Sequence, residues 1–211
     1  MKILIGTTNP SKVEYFAAML AGFGVEFVTL ADLGIQREPQ ENGRTPMENA
    51  MIKAAFYGQY ADAVICADSG LYFDALALDD PLQPGLHIRT PDGGKRLDDE
   101  EMIAYYAQLV HNLGGKAMAY YLNGIAIKVN GEVHGFQWTR EEARQGAFYM
   151  LDTPCAARCP GWPLDSLSVD MNGVSFTDPK WEDVPQLNWG RENRLRTFLL
   201  EKLGLNRRGE G

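Results

Sequence analysis

The sequence is poor in cysteine, and the few it has do not suggest disulfide bonds. Cys66, Cys155 and Cys159 are an odd number, which does not fit a framework of paired disulfides. Cys155 and Cys159 resemble half of a zinc site, but no second pair of cysteines or histidines lies near them in the sequence to complete four ligands. The start of the chain also lacks the long apolar segment of a secretion signal. We therefore expect a reduced, cytoplasmic protein.

Long apolar runs and excess positive charge are missing as well. No stretch of about 18 apolar residues occurs, so we expect no membrane-spanning segment. The formal net charge of −8 argues against binding to a nucleic acid polymer, which needs a basic face. The three histidines are far apart with no nucleophile motif beside them, so nothing supports a catalytic triad. An anionic ligand would have to be met by a local group of lysines, arginines, backbone N–H groups or a metal ion.

The first segment predicts a strand, a polar turn and a helix. Lys2 to Gly6 reads as the strand, with Asn9 as N-cap and Pro10 as the first position of a helix that runs to about Gly22. Thr7, Thr8, Asn9 and Lys12 lie in this turn. Backbone N–H groups at a helix start, together with a lysine, form a small anion site; alternatively, the polar residues only cap the helix and Lys12 is solvated.

A second helix is predicted from residue 46 to about residue 60. Thr45 is its N-cap, Pro46 its first residue, and Glu48 completes a capping box. Asn49 and Lys53 are four residues apart on one side of this helix and can face a ligand together. Glu48 already has a complete structural role as the capping acid, so a purely structural interpretation of this segment remains open.

The most informative stretch is the buried strand Ala63 to Ala67, which we expect to end at Asp68, Ser69 and Gly70. The carboxyl ends of such strands line the ligand crevice in open α/β sheets, so Asp68 would lie at that edge. The alternative is that Asp68 is an ordinary turn residue.

The second half of the chain predicts further strands and helices. Asn130-Gly131 is a strong hairpin signal between strands 116–129 and 132–138. Helices are expected from about residue 97 to 113 and from 191 to 203, a strand at 164–169, and a frayed tail at 206–211. A long loop at 79–96 carries Arg89, and a rigid loop presents Trp162. The whole pattern predicts an α/β protein with a mixed sheet and flanking helices, forming one domain over residues 1–211 in two intimately joined lobes.

The polar residues gathered by these elements suit one kind of chemistry. Magnesium in phosphate-transfer sites binds one or two carboxylates together with substrate phosphate oxygens, while lysines neutralise the remaining charge. A carboxylate such as Asp68 could bind the metal or accept a proton from attacking water.

Four short blocks follow one another over roughly the first 90 residues. They are Thr7-Thr8-Asn9-x-x-Lys12, then Glu41-x-Gly43-x-Thr45-x-x-Glu48-Asn49-Ala50-x-x-Lys53, then Ala67-Asp68-Ser69-Gly70-Leu71, and finally Pro84-Gly85 shortly before Arg89. Each block is weak alone, and their joint occurrence is specific. In this order they resemble the inosine triphosphate pyrophosphatase family of non-canonical purine nucleoside triphosphatases.

The resemblance implies an elongated α/β fold with two lobes around a central cleft, usually a homodimer. It implies Mg²⁺-dependent cleavage of ITP, dITP or XTP to the monophosphate and pyrophosphate, with Mn²⁺ as an alternative metal. Asp68 would place the metal and activate water, Lys53 would act beside it, and Glu48 would help to hold the metal. The resemblance also implies that the substrate is bound by Thr7, Thr8, Asn9, Lys12, Asn49, Ser69 and Arg89.

Three departures from the family pattern leave alternatives open. Ala67 stands where many members have a second acid. The aromatic loop of the family has only a loose counterpart around Trp162, and Trp189-Gly190-Arg191 stands in place of a Ser-His-Arg motif that reads the base. Trp162 and Arg191 are our candidates for the base site. The same reaction on another base, or a nucleotide-binding protein without catalysis, are the alternatives.

Overall fold

The computed structural model describes residues 1–91, 93–159, 161–178 and 189–205, with the backbone alone for Ser11 and residues 189–192. Its strands pair in the order β2-β1-β3-β4-β6-β7, with β5 on β4, and the helices flank this mixed sheet. The predicted α/β class is confirmed. The elements in chain order are β1 (Lys2–Ile5), α1 (Pro10–Met19), β2 (Glu26–Thr29), α2 (Pro46–Tyr57), β3 (Ala63–Phe73), α3 (Asp99–Asn112), β4 (Lys116–Val129), β5 (Glu132–Gln137), α4 (Arg140–Arg144), β6 (Phe148–Leu151), a 3₁₀ helix (Pro163–Leu167), β7 (Ser168–Val169) and α5 (Trp189–Leu203).

The described residues form two compact units. The first takes those of Met1–Ser69, Asn123–Trp138 and Trp189–Gly211, and the second takes those of Gly70–Leu122 and Thr139–Asn188. The chain therefore enters the second unit twice, and β3 and β4 each contribute residues to both units. Residues 206–211, which we expect to be a frayed tail, lie outside the described residues.

The first unit is built on parallel strands with helices on both faces. β1 pairs in parallel with β2 and with β3. Because side chains alternate along a strand, Ile3 and Ile65 pack on one face in a cluster with residues of α1 and α5. Leu4, Val64 and Cys66 pack on the other face in a cluster with residues of α2. The polar starts of α1 and α2 are thereby held close to strand residues.

Strand β3 is longer than the sequence pattern predicted. It continues through Asp68, Ser69 and Gly70 to Phe73, so the expectation that it ends before Asp68 is wrong. The reason lies in the residues that follow, because Leu71 and Phe73 are buried in the core of the second unit and the Leu71 N–H donates to the Gly85 carbonyl at 2.9 Å.

The predicted hairpin is confirmed in the first unit. β4 and β5 pair antiparallel from Gly124 opposite Gln137 to Val129 opposite Glu132. Asn130 and Gly131 both have positive φ angles, 52° and 83°, as a two-residue type I′ turn requires.

The second unit packs α3 against β6 and the 3₁₀ helix, with Tyr106, Met150 and Leu164 in its core. Here the predicted strand at 164–169 is wrong for most of its length, since only Ser168–Val169 is strand. The Ser166 hydroxyl donates to the Pro163 carbonyl at 2.8 Å and so stabilises the tight helical turn instead.

Within the described ranges, no helix is both long enough and apolar enough to cross a membrane.

Candidate active site

Asp68 lies within β3, and both of its carboxylate oxygens are bound by side chains of α2. The Asn49 amide donates from Nδ2 to Oδ2 at 3.0 Å, and the Lys53 ammonium donates to Oδ1 at 3.0 Å. Strand alternation places Asp68 on the same face as Cys66, which packs with residues of α2. The Asp68 side chain keeps 17% of its surface exposed. The carboxylate is thus oriented from two sides and still open to a ligand.

Helix α2 can present Asn49 and Lys53 together because they are four residues apart, and the prediction that they share one side of the helix is confirmed. The helix begins as expected, with the Thr45 hydroxyl accepting from the Glu48 N–H at 3.1 Å and Pro46 at the first position. The other half of the predicted capping box is wrong. The Glu48 carboxylate accepts from the Arg44 N–H at 2.6 Å, because the preceding loop folds back along the helix.

That loop, residues 41–44, contacts the same helix at two further points. The Glu41 carboxylate lies 3.0 Å from the Lys53 ammonium, and the Gly43 N–H donates to Oδ1 of Asn49 at 2.8 Å. A Cβ on Gly43 would lie 2.6 Å from that same oxygen, so only glycine allows this approach. The bond from Gly43 fixes the Asn49 amide with its NH₂ group directed at Asp68.

Two lysines provide positive charge around Asp68. Burial, followed by the charge of Lys53, lowers the pKa of Lys12, whose ammonium is 3.5 Å from the Ala67 carbonyl. Burial also acts to lower the pKa of Lys53, but the carboxylates of Asp68 and Glu41 outweigh it and raise that pKa overall. A phosphate anion would relieve the repulsion between the two ammonium groups.

The turn before α1 brings further predicted residues near the end of β1. The Thr7 hydroxyl accepts from the Asn9 N–H at 3.1 Å, while Thr8 is exposed. Ser69 follows Asp68 in β3, so alternation places its hydroxyl on the opposite face of the strand, with Ala67. The substrate-binding roles assigned to Thr7, Thr8, Asn9 and Ser69 remain predictions.

Two glycines in the hairpin allow α2 to pack directly against the sheet. A Cβ on Gly124 would lie 2.1 Å from the Met47 backbone nitrogen, and one on Gly135 would lie 2.9 Å from the Met47 side chain. The Met47 N–H donates to the Gln137 side chain at 3.1 Å. These contacts fix the start of the helix, and with it the positions of Asn49 and Lys53.

Three further predicted site residues belong to other parts of the chain. Arg89 belongs to the second unit, where its guanidinium donates to Asp99 at 2.9 Å, and Trp162 is an exposed residue just before the 3₁₀ helix of that unit. Arg191 lies in α5, and its side chain is outside the described part of the chain. The roles of Arg89, Trp162 and Arg191 remain predictions.

Glu41 is the site residue that the sequence analysis missed. It belongs to one of the family blocks, but its role depends on how the loop folds, and the residue pattern gave no sign of that. Glu41 and Asp68 each have an oxygen 3.0 Å from the Lys53 ammonium, so these two oxygens are at most about 6 Å apart. Two oxygen ligands of one magnesium ion, each about 2.1 Å from it, lie at most about 4.2 Å apart, so both carboxylates could bind one ion only within the shorter part of that range.

A magnesium site would need help from the substrate. Among the described residues, no three His, Cys, Asp or Glu side chains lie close enough to hold a metal ion. One or two carboxylates completed by phosphate oxygens and waters are nevertheless typical of magnesium, and Glu41 with Asp68 fits that description. The Glu48 carboxylate is engaged by Arg44, and its predicted role at the metal stays a prediction.

Comparison with known proteins identifies the family of this chain. Residues 3–148 match the model of the Ham1 family, and the chain belongs to that family. The resemblance noted from the four sequence blocks is thereby confirmed at the level of the family.

Curated relatives carry a more specific name. The chain is 43% identical over 210 residues to the dITP/XTP pyrophosphatase of Thermoanaerobacter sp. (strain X514), covering 96% of this chain and 98% of that protein. It is 35% identical over 145 residues to a dITP/XTP pyrophosphatase of Thermus thermophilus, covering 64% of this chain and 67% of that protein.

Solved structures support the fold. The Ham1 protein of Coxiella burnetii aligns with a TM-score of 0.67 at 20% identity, over 95% of this chain and 99% of the other. A nucleoside-triphosphatase described as a dITP/XTP pyrophosphatase, from Mycobacterium abscessus, aligns with a TM-score of 0.62 at 24% identity, over 94% of this chain and 99% of the other.

Proposed function

We propose that this chain is a nucleoside triphosphate pyrophosphohydrolase that acts on non-canonical purine nucleotides such as ITP, dITP or XTP. The observation that carries the proposal is the Asp68 carboxylate, held by Asn49 and Lys53 beside a second acid and a second lysine. The names of the curated relatives support the same reaction and the same substrate class.

In the proposed reaction, water attacks the α-phosphorus of the nucleotide. A bond forms between the water oxygen and this phosphorus, the bond to the bridging oxygen of the β-phosphate breaks, and pyrophosphate leaves with the electron pair. In this proposal Asp68 orients the water and accepts its proton. Lys12 and Lys53 balance the negative charge of the phosphates, and the oriented Asp68 lowers the cost of assembling the reactants.

The cofactor of this reaction is proposed to be Mg²⁺, with Mn²⁺ as a substitute. Glu41 and Asp68 would hold the ion together with substrate phosphate oxygens. When bound, it would polarise the phosphate and stabilise developing negative charge. We therefore expect a chelator to abolish pyrophosphate release, and added Mg²⁺ or Mn²⁺ to restore it.

A substrate screen with product identification tests the function. Pyrophosphate release should be fastest with ITP, dITP or XTP, and slower with dATP, dGTP and pyrimidine triphosphates. Equal or faster turnover of an ordinary nucleotide would instead favour the same reaction on another base. Metal-dependent nucleotide binding without hydrolysis would favour a binding protein that has lost catalysis.

The Asp68→Asn variant tests the assigned acid. We expect it to fold and to lose about 10²-fold or more in turnover, which is the lower range for loss of a positioned acid or base. Asp62→Asn, an exposed acid just before the same strand, is the matched control and should retain activity. Pyrophosphate release near the wild-type rate from Asp68→Asn would contradict the role given to Asp68.

We also propose that the protein is a homodimer located in the cytoplasm, as the family resemblance implies. Sedimentation of the purified protein should give twice the monomer mass, and fractionation of cells should recover it with the cytosol.

A further inference from the structure

The ammonium of Lys53 lies between two carboxylates at equal distances. Its nitrogen is 3.0 Å from the Glu41 oxygen and 3.0 Å from the Asp68 oxygen. The lysine side chain is 13% exposed, whereas Glu41 is 37% exposed. A positive group that is shared by two acids occupies the same place between them that a divalent cation would take.

This arrangement has a consequence for the free protein. Two carboxylates that already share one ammonium are partly neutralised, and a metal ion must displace that ammonium or compete with its charge. A triphosphate changes the balance, since its oxygens offer the ammonium another anionic partner. Metal and nucleotide should therefore help each other to bind.

We propose that Lys53 and the divalent cation compete for Glu41 and Asp68, so that the metal enters this site together with the nucleotide. In the nucleotide-free protein Lys53 keeps the two acids together and holds affinity for free metal low. Once the triphosphate is bound, Lys53 turns to the phosphates and leaves the acids to the metal. This inference rests on the proposed function for the identity of the nucleotide.

Lys12 provides a matched comparison. It carries the same charge into the same region, as the effect of the Lys53 charge on its pKa shows, but its ammonium donates to the Ala67 carbonyl and not to either acid. Removing Lys12 therefore removes the same charge and one bond to a backbone carbonyl, whereas removing Lys53 also releases the two carboxylates.

The experiment is calorimetric titration of the nucleotide-free, full-length protein with Mn²⁺ alone. We expect Lys53→Met to bind Mn²⁺ about tenfold more tightly than wild type, because a full charge in contact with both acids is removed. Lys12→Met should tighten binding by less than about threefold, because its ammonium bonds the Ala67 carbonyl and acts on the two acids from farther away. Mn²⁺ at millimolar concentration should also raise the melting temperature of Lys53→Met more than that of wild type.

Equal Mn²⁺ affinity in Lys53→Met and wild type would overturn the proposal. Equal gains in Mn²⁺ affinity in Lys53→Met and Lys12→Met would also overturn it, because the change in net charge would then explain the whole effect. Should Lys53→Met fail to fold, Lys53→Gln keeps the length of much of the side chain and a donor for Asp68, and the same expectation applies. The titration needs no turnover. A protein that releases no pyrophosphate but shows the Lys53 effect would therefore refute the proposed function while supporting this competition.

Discussion

The close contact between α2 and the hairpin makes a graded prediction for three glycine-to-alanine variants. A Cβ at Gly124 would lie 2.1 Å from the Met47 nitrogen and 2.3 Å from the Pro46 carbonyl carbon. Both atoms are backbone, so the helix start itself must move, by roughly 1 Å or more to reach an ordinary contact distance. At Gly135 the nearest atoms belong to the flexible side chains of Met47 and Met51, at 2.9–3.0 Å. Gly94 has open space around it.

The expected losses in stability follow this order. Gly124→Ala should lose about 3 kcal/mol, at the upper end of the cost of overpacking. That loss corresponds to a fall in melting temperature of roughly 6–12 °C for a chain of this size. Gly135→Ala should lose about 1 kcal/mol, because methionine side chains adapt easily. Gly94→Ala should be neutral or slightly stabilising, because alanine restricts the unfolded chain.

Activity should separate the three variants further. A displacement of the helix start carries Asn49 and Lys53 away from Asp68, and an error of about 1 Å in such a site can reduce turnover roughly 10²-fold. Thermal unfolding and pyrophosphate release, measured on the same preparations, check both parts. If Gly124→Ala is as stable and as active as Gly94→Ala, the helix is not held by this contact and the reasoning fails.

Two other variants test single side chains. Asn49→Ala removes a buried amide that binds Gly43 and Asp68, and should lower the free energy of unfolding by about 2–4 kcal/mol, measured by thermal unfolding. Its control, Asn112→Ala, loses an exposed amide and should lower it by less than about 0.5 kcal/mol. Equal losses in the two variants would contradict this account. Burial raises the pKa of the Asp165 carboxyl group to about 6 from 3.8. The folded protein therefore binds the carboxyl proton more tightly than the unfolded chain does. Because of this difference, the contribution of Asp165 to the stability of the fold falls as the pH rises from about 4 to 6. Asp165→Asn should therefore exceed wild type in melting temperature at pH 8, with the difference closing toward pH 4, and a difference independent of pH would refute this.

The local signals in the sequence predicted the elements of the first unit well. Thr45 and Pro46 mark the start of α2, Asn130-Gly131 marks the hairpin, and the spacing of Asn49 and Lys53 places both on Asp68. These features depend on backbone preferences and helix periodicity, which a few neighbouring residues determine.

The features that the sequence did not predict depend on distant contacts. β3 continues past Asp68 because Leu71 pairs with Gly85 and packs in a core formed by later parts of the chain. Glu41 reaches Lys53 because the intervening loop folds back along α2. Neither contact leaves a periodic pattern in the residues, so sequence reasoning treated Asp68 as the end of a strand and gave Glu41 no role.

The folded-back loop also limits how this segment can change in evolution or design. Its contacts to Glu48, Asn49 and Lys53 all depend on the same count of residues between the loop and the helix. A substitution of Glu41 removes one contact, and Arg44 contributes only its backbone N–H, so its side chain is free to change. Gly43 must stay glycine, because a Cβ there would lie 2.6 Å from the Asn49 oxygen. Inserting or deleting a single residue would instead displace all three contacts together. The length of this segment is therefore constrained as strongly as the identity of Gly43, and variants of this enzyme should be sought by exchange of the other side chains at fixed spacing.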